Sequence, residues 1–85
     1  MPFYVYIIQS EIDGSYYIGS AQDIVERLER HNQGRSKYTK HKRPWQLVYC
    51  EEHPDRSSAM KQENQIKRQK SKEAIETLVR TSRQV

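Results

Sequence analysis

Five side chains in this sequence have types and spacings that could act on a charged substrate: Tyr6, Tyr17, Arg27, His31 and Glu63. Arg27 and His31 stand four residues apart in DIVERLERH, so on a helix they project from one side. Together they could face a phosphate, although with Glu26, Glu29 and Arg30 around them spacing alone favours a solvated helix face. Glu63 falls among Ala59, Met60 and Ile66, where helical spacing calls for an apolar residue. A carboxylate there must be paired, hydrated or bound to a cation, because an isolated buried charge is costly. A metal site and an ordinary ion pair with Lys67, one turn on, both meet that demand. Tyr6 and Tyr17 lie on neighbouring strand-like segments, where their hydroxyls could share a site or simply pack as Tyr4, Tyr16 and Tyr49 can. In GRSKYTKHKRPW, the cations Arg35, Lys37, Lys40, Lys42 and Arg43 interleave with Tyr38, His41 and Trp45. Such a stretch can track a phosphate backbone and offer rings to unstacked bases, and it can equally be a solvated loop.

These residues need elements to position them. Phe3 to Gln9 is aromatic and β-branched, Asp13-Gly14-Ser15 signals a turn, and Tyr16 to Gly19 reads as a second strand, which together predict a hairpin. Ser20, with Asp23 three residues on, has a capping-box pattern for a helix whose apolar face is Ile24, Val25 and Leu28 and which Asn32-Gln33-Gly34 ends. WQLVYC, Trp45 to Cys50, is the third strand, broken at His53-Pro54-Asp55. Asp55 or Ser57 caps the glutamate helix, and Ser71 caps a last helix carrying Ile75, Leu78 and Val79 inward. The order β-β-α-β-α-α predicts an α/β (α+β) fold, a small three-stranded sheet with helices packed on it. Residues 1–80 form one domain, and 81–85 a frayed tail.

Composition narrows the class. At 85 residues and 34% hydrophobic content, the chain supports one modest core. Fifteen Lys and Arg against eleven Asp and Glu give a net charge of +4, which suits an anionic partner such as nucleic acid or an anionic membrane surface, and equally a domain kept in solution by its charge. The lone Cys50 rules out an internal disulfide and any cysteine metal cluster, and a reducing, cytoplasmic setting is expected. The opening MPFYVYIIQS reads as a strand and not a signal peptide, and no stretch is long enough to span a membrane.

With these pieces in order, the sequence resembles the GIY-YIG nuclease superfamily, and in particular its small stand-alone bacterial members. Tyr17-Ile18-Gly19 is the second motif intact, and Tyr4-Val5-Tyr6 is a variant of the first, with Tyr6 in the place of the motif tyrosine. DIVERLERHNQG is similar to the family helix in which an arginine precedes a histidine by four residues. KYTKHKRPWQLVY resembles the following loop and strand, and EE…SSAMKQENQIKRQK the glutamate helix; the likeness runs from about Tyr4 to Lys72.

The resemblance implies the GIY-YIG fold, a small three-stranded antiparallel sheet flanked by helices, and a metal-dependent endonuclease hydrolysing phosphodiester bonds in DNA. By it, Arg27 contacts the scissile phosphate, Glu63 holds one divalent ion (Mg²⁺ or Mn²⁺), Tyr6 helps activate the attacking water, His31 assists Tyr6, and Tyr17 orients the phosphate or its water. Nucleic-acid contacts are expected from Arg35, Lys37, Tyr38, Lys40, His41, Lys42, Arg43 and Lys67. Without a separate recognition domain, single-stranded or branched DNA is the expected substrate, and DNA repair or recombination the expected setting, with a monomer or weak homodimer acting. The alternative is a non-catalytic nucleic-acid-binding module of the same fold. The chain departs from the family in its YVY motif and in lacking the asparagine that many members carry downstream of the glutamate; Asn64 follows Glu63 directly, and Lys67, Arg68 and Lys70 come next.

Overall fold

Eight residues near the N-terminus, FYVYIIQS, form the central strand β1 (Phe3–Ser10). Val5, Tyr6, Ile7 and Ile8 are all buried, so β1 is covered on both faces, which is why its apolar run is continuous and not alternating. In the computed structural model, residues 2–69 and 71–82 are described; Lys70 and residues 83–85, most of the expected tail, lie outside them. β1 pairs antiparallel with β2 (Tyr16–Ala21) on one side and β3 (Trp45–His53) on the other, giving the strand order β2-β1-β3. The helices are α1 (Ile24–Asn32), α2 (Arg56–Gln69) and α3 (Lys72–Ser82), with a short 3₁₀ turn at Lys40–Lys42. The element order is the predicted β-β-α-β-α-α. Among the described residues no helix is long and apolar enough to cross a membrane.

Alternation along β1 divides the core in two. Val5 and Ile7 point to one face with Ile18, Val48, Ala59, Ile66 and Val79, under α2 and α3. Tyr6 and Ile8 point to the other with Ala21 and Trp45, against Tyr17, Ile24 and Leu28. α1 therefore covers one face of the sheet, and α2 and α3 the other.

Several local expectations change. Ser20 lies within β2 and does not cap α1; Asp23 does, its carboxylate accepting the Glu26 amide N–H at 3.1 Å. An aspartate directly before the first helical residue serves the free amides and places negative charge at the positive helix end. Val25 is 73% exposed, since the inward stripe of α1 runs through Ile24, Leu28 and His31. Trp45 is buried and unavailable for stacking: its indole N–H donates to the Thr39 carbonyl, and Asn32 brackets its backbone, accepting from its N–H and donating to its carbonyl. β3 runs three residues past Cys50, where His53 and Glu51 pair at 2.7 Å on one side of the strand. α3 continues through residues 81 and 82, past the expected domain boundary. Asp55 and Ser71 cap α2 and α3 as expected, accepting the Ser58 and Ala74 amides.

Candidate active site

Tyr6 projects from the middle of β1, and its partner across the ladder is Gly19. A Cβ at position 19 would sit 2.7 Å from the Tyr6 hydroxyl oxygen, so the phenol can cross β2 only because residue 19 has no side chain. The hydroxyl meets His31 Nε2 at 3.1 Å, and His31 Nδ1 meets Thr39 Oγ1 at 2.7 Å. His31 is 3% exposed and Thr39 1%, which makes this a closed chain of polar groups leading inward from Tyr6. The Tyr17 ring lies 5.0 Å from His31 and 6.4 Å from Tyr6, walling the pair off on the β2 side.

Electrostatics sharpen the picture. Burial, aided by neighbouring Tyr17 and opposed by Arg27, pushes the Tyr6 phenol up to about 12. Burial first, then Arg27 and Arg30, hold His31 below its ordinary value. At neutral pH Tyr6 keeps its proton and His31 is uncharged. The chain can then run with the phenol O–H donating to Nε2 and Nδ1–H donating to Thr39, while the Tyr6 oxygen faces the Arg27 guanidinium as a donor and keeps a second lone pair to accept.

Arg27 stands one turn before His31, and its Nε–H is buried without an acceptor. A guanidinium nitrogen left that way is costly unless something anionic completes it. A cleft of about 360 Å³ joins Arg27 to Phe3, Ser20, Gln22, Arg56 and Met60, carrying the site around the end of β2 toward α2. There Glu63 is held by two donors: the Ser20 hydroxyl to Oε1 and Lys67 Nζ to Oε2, each at 2.7 Å. A wider groove of about 660 Å³, lined by Pro2, Tyr4, Gln22, Asp23, Ile24 and Val25, contains none of the five candidates.

Tyr6, Tyr17, His31 and Arg27 thus gather on the α1 side of β2, with Glu63 around its edge. Among the described residues no group of three or more His, Cys, Asp or Glu side chains converges on a metal position. His31 spends both ring nitrogens on Tyr6 and Thr39, which leaves Glu63, the one carboxylate among the five candidates, as the group that could hold an ion. One hard oxygen ligand suits Mg²⁺ or Mn²⁺, which keep waters and take phosphate oxygens as further ligands.

The basic loop is less uniform than its composition implies. Lys42 pairs with Asp13 at 3.3 Å, donates to Ser15, and accepts the Ser10 hydroxyl on its carbonyl, tying the loop to the hairpin turn. The Arg43 guanidinium lies over Gly34, where a Cβ would come within 2.1 Å. Arg35, Lys37, Lys40 and His41 are exposed. Tyr38, 86% exposed, lines a groove of about 490 Å³ with Tyr16, Tyr17, Ile18 and Lys67, along β2 beside the candidate site. Sequence reasoning missed Ser20, Arg56 and Thr39. Ser20 directly follows Tyr-Ile-Gly, a signal spent on a helix cap; nothing in the sequence singles out Arg56 or Thr39.

A tyrosine–histidine pair against an arginine, with a glutamate on the next helix, thus lies around one edge strand. The model of the GIY-YIG catalytic domain matches residues 2–76, and the chain belongs to that family. It is 49% identical over 65 residues to a UPF0213 protein of Staphylococcus saprophyticus, covering 75% of this chain and 78% of that one. A UPF0213 protein of Staphylococcus aureus is 48% identical with the same coverage. The solution NMR structure of a UPF0213 protein from Bacillus halodurans is similar with a TM-score of 0.61 and 35% identity, covering 95% of this chain and 85% of that one.

Proposed function

We propose that this chain is a metal-dependent endonuclease that hydrolyses phosphodiester bonds in DNA, with single-stranded or branched DNA preferred and DNA repair or recombination as its setting. The observation that carries the reading is the chain from Tyr6 through His31 to Thr39, with the acceptor-less Arg27 nitrogen beside it. Arg27 binds the scissile phosphate through paired hydrogen bonds and offsets the charge that grows on it. A water placed against the phosphate gives a proton to the Tyr6 oxygen as Tyr6 passes its own to His31 Nε2. This relay needs no phenolate, which matters because burial makes one hard to form. Thr39 fixes the imidazole tautomer, and Tyr17 orients the phosphate against the pair. Glu63 would hold the divalent ion, which supplies charge to the phosphate and to the leaving oxygen. The exposed Tyr38 ring favours a strand with unpaired bases, a duty Trp45 cannot share.

The test is cleavage of labelled single-stranded, branched and duplex DNA by wild type, Arg27→Ala and Glu63→Ala, each with Mg²⁺, Mn²⁺ or EDTA. Circular dichroism checks that each variant folds. Cutting by wild type that needs metal and is lost in both folded variants is the expected result. Binding without cutting under every metal would leave a nucleic-acid-binding module in place of an enzyme.

A further inference from the structure

Lys67 borders a carboxylate and a groove at once. Its ammonium contacts Glu63 Oε2 at 2.7 Å, and its side chain, 49% exposed, also lines the groove of Tyr16, Tyr17, Ile18 and Tyr38 along β2. Glu63 is 17% exposed, so this ammonium is the full charge that neutralises a carboxylate largely withdrawn from water. The two Glu63 oxygens are not equivalent. Oε1 accepts from a neutral hydroxyl, which a metal at the carboxylate can tolerate, whereas Oε2 faces a cation that would repel a divalent ion a few ångströms away.

We propose that Lys67 is the resident counter-ion of Glu63, that a divalent ion displaces it, and that the displaced ammonium binds a phosphate of the DNA strand lying in the groove. The inference rests on the metal-dependent DNA reading above and adds a coupling to it. Metal binding frees a cation for the strand, and by reciprocity the strand, by drawing Lys67 away, tightens metal binding. The enzyme so built assembles its metal site when substrate is present.

The test begins with Mn²⁺ affinity, read from the electron paramagnetic resonance of free Mn²⁺, in wild type, Lys67→Met and Arg68→Met. Arg68 carries the same charge on the same helix but lines a different groove with Lys61, Asn64 and Gln65, so its variant reports the general field alone. Lys67→Met is expected to bind Mn²⁺ about two- to fivefold more tightly than Arg68→Met, the scale of a half-exposed ion pair. DNA binding is then measured against salt in a Tyr6→Phe background, which keeps the strand intact. With Mn²⁺, Lys67→Met should lower the salt slope by about one phosphate contact; without metal it should leave the slope unchanged. Equal Mn²⁺ affinities in the two methionine variants, or a slope lowered equally with and without metal, would overturn the coupling while the nuclease reading stands. If wild type binds no Mn²⁺ at all, the metal-dependent reading falls and the coupling with it.

Discussion

The two halves of the site are built on opposite plans. On the α1 side, Tyr6, His31 and Thr39 are each no more than 3% exposed and joined in one chain. On the α2 side, Glu63 sits at the rim, held by Ser20 and a half-exposed Lys67. Proton relay gains from rigid partners and exclusion of water, because each group must keep one protonation state and one geometry. Metal binding gains from the reverse, a carboxylate that an ion can reach and whose partners can step aside. The contrast predicts that changes on the α1 side are large and those on the α2 side, Glu63 itself excepted, are graded.

Removing the phenol hydroxyl tests the inner half most directly. Tyr6→Phe should lower the cleavage rate by about 10²–10⁴-fold while DNA affinity stays near wild type. An unchanged rate would take Tyr6 out of the proton route. Gly19→Ala attacks the same half through packing: the new methyl collides with the Tyr6 hydroxyl, and we expect about 1–3 kcal/mol of lost stability by urea denaturation together with lost cleavage. Wild-type stability in that variant would show that the phenol has room to move.

The pH dependence separates the halves by chemistry. Because His31 is held below its usual value in the folded protein, the unfolded chain binds its proton more readily. Stability from the neutral imidazole is therefore fully present above the unfolded value, about 6.5, and is lost as pH falls through the lower folded value. Cleavage should fall over the same acidic window, since a protonated His31 cannot accept from Tyr6. Denaturant titrations from pH 8 to 5, with His31→Gln as the comparison, should show a steeper acid loss in wild type. The smallest effect is expected at the rim. Ser20→Ala leaves Glu63 Oε1 without its hydroxyl partner, and about a two- to tenfold weaker dependence on Mg²⁺ concentration should register in cleavage assays.

Much of this was legible in the residues. The strands were readable because Phe3 to Ile8 is an unbroken aromatic and aliphatic run, and the helices because Asp55, Ser71 and Gly34 mark their ends. The five candidates were readable by type and spacing, but their surroundings were not. His31 was obscured by its charged neighbours, yet Arg30 and Glu26 pair with each other at 2.9 Å, leaving the imidazole to turn inward along the Ile24–Leu28 stripe. For Glu63 the spacing allowed either a metal site or an ion pair with Lys67, and that ion pair is formed. Trp45 misled because an aromatic at the end of a basic stretch has the same local pattern whether it faces solvent or the core. Thr39 gives no signal at all, since only tertiary folding carries it to the imidazole.

One consequence follows from β2 standing at the sheet's edge. Among the described residues its only ladder partner is β1, and Tyr17 of the candidate site stands on this strand. A sheet edge is a template for joining another chain. Were two copies to join along this edge, the second strand would lie beside the groove of Tyr16, Tyr17, Ile18, Tyr38 and Lys67, so that pairing and occupancy of the groove would compete.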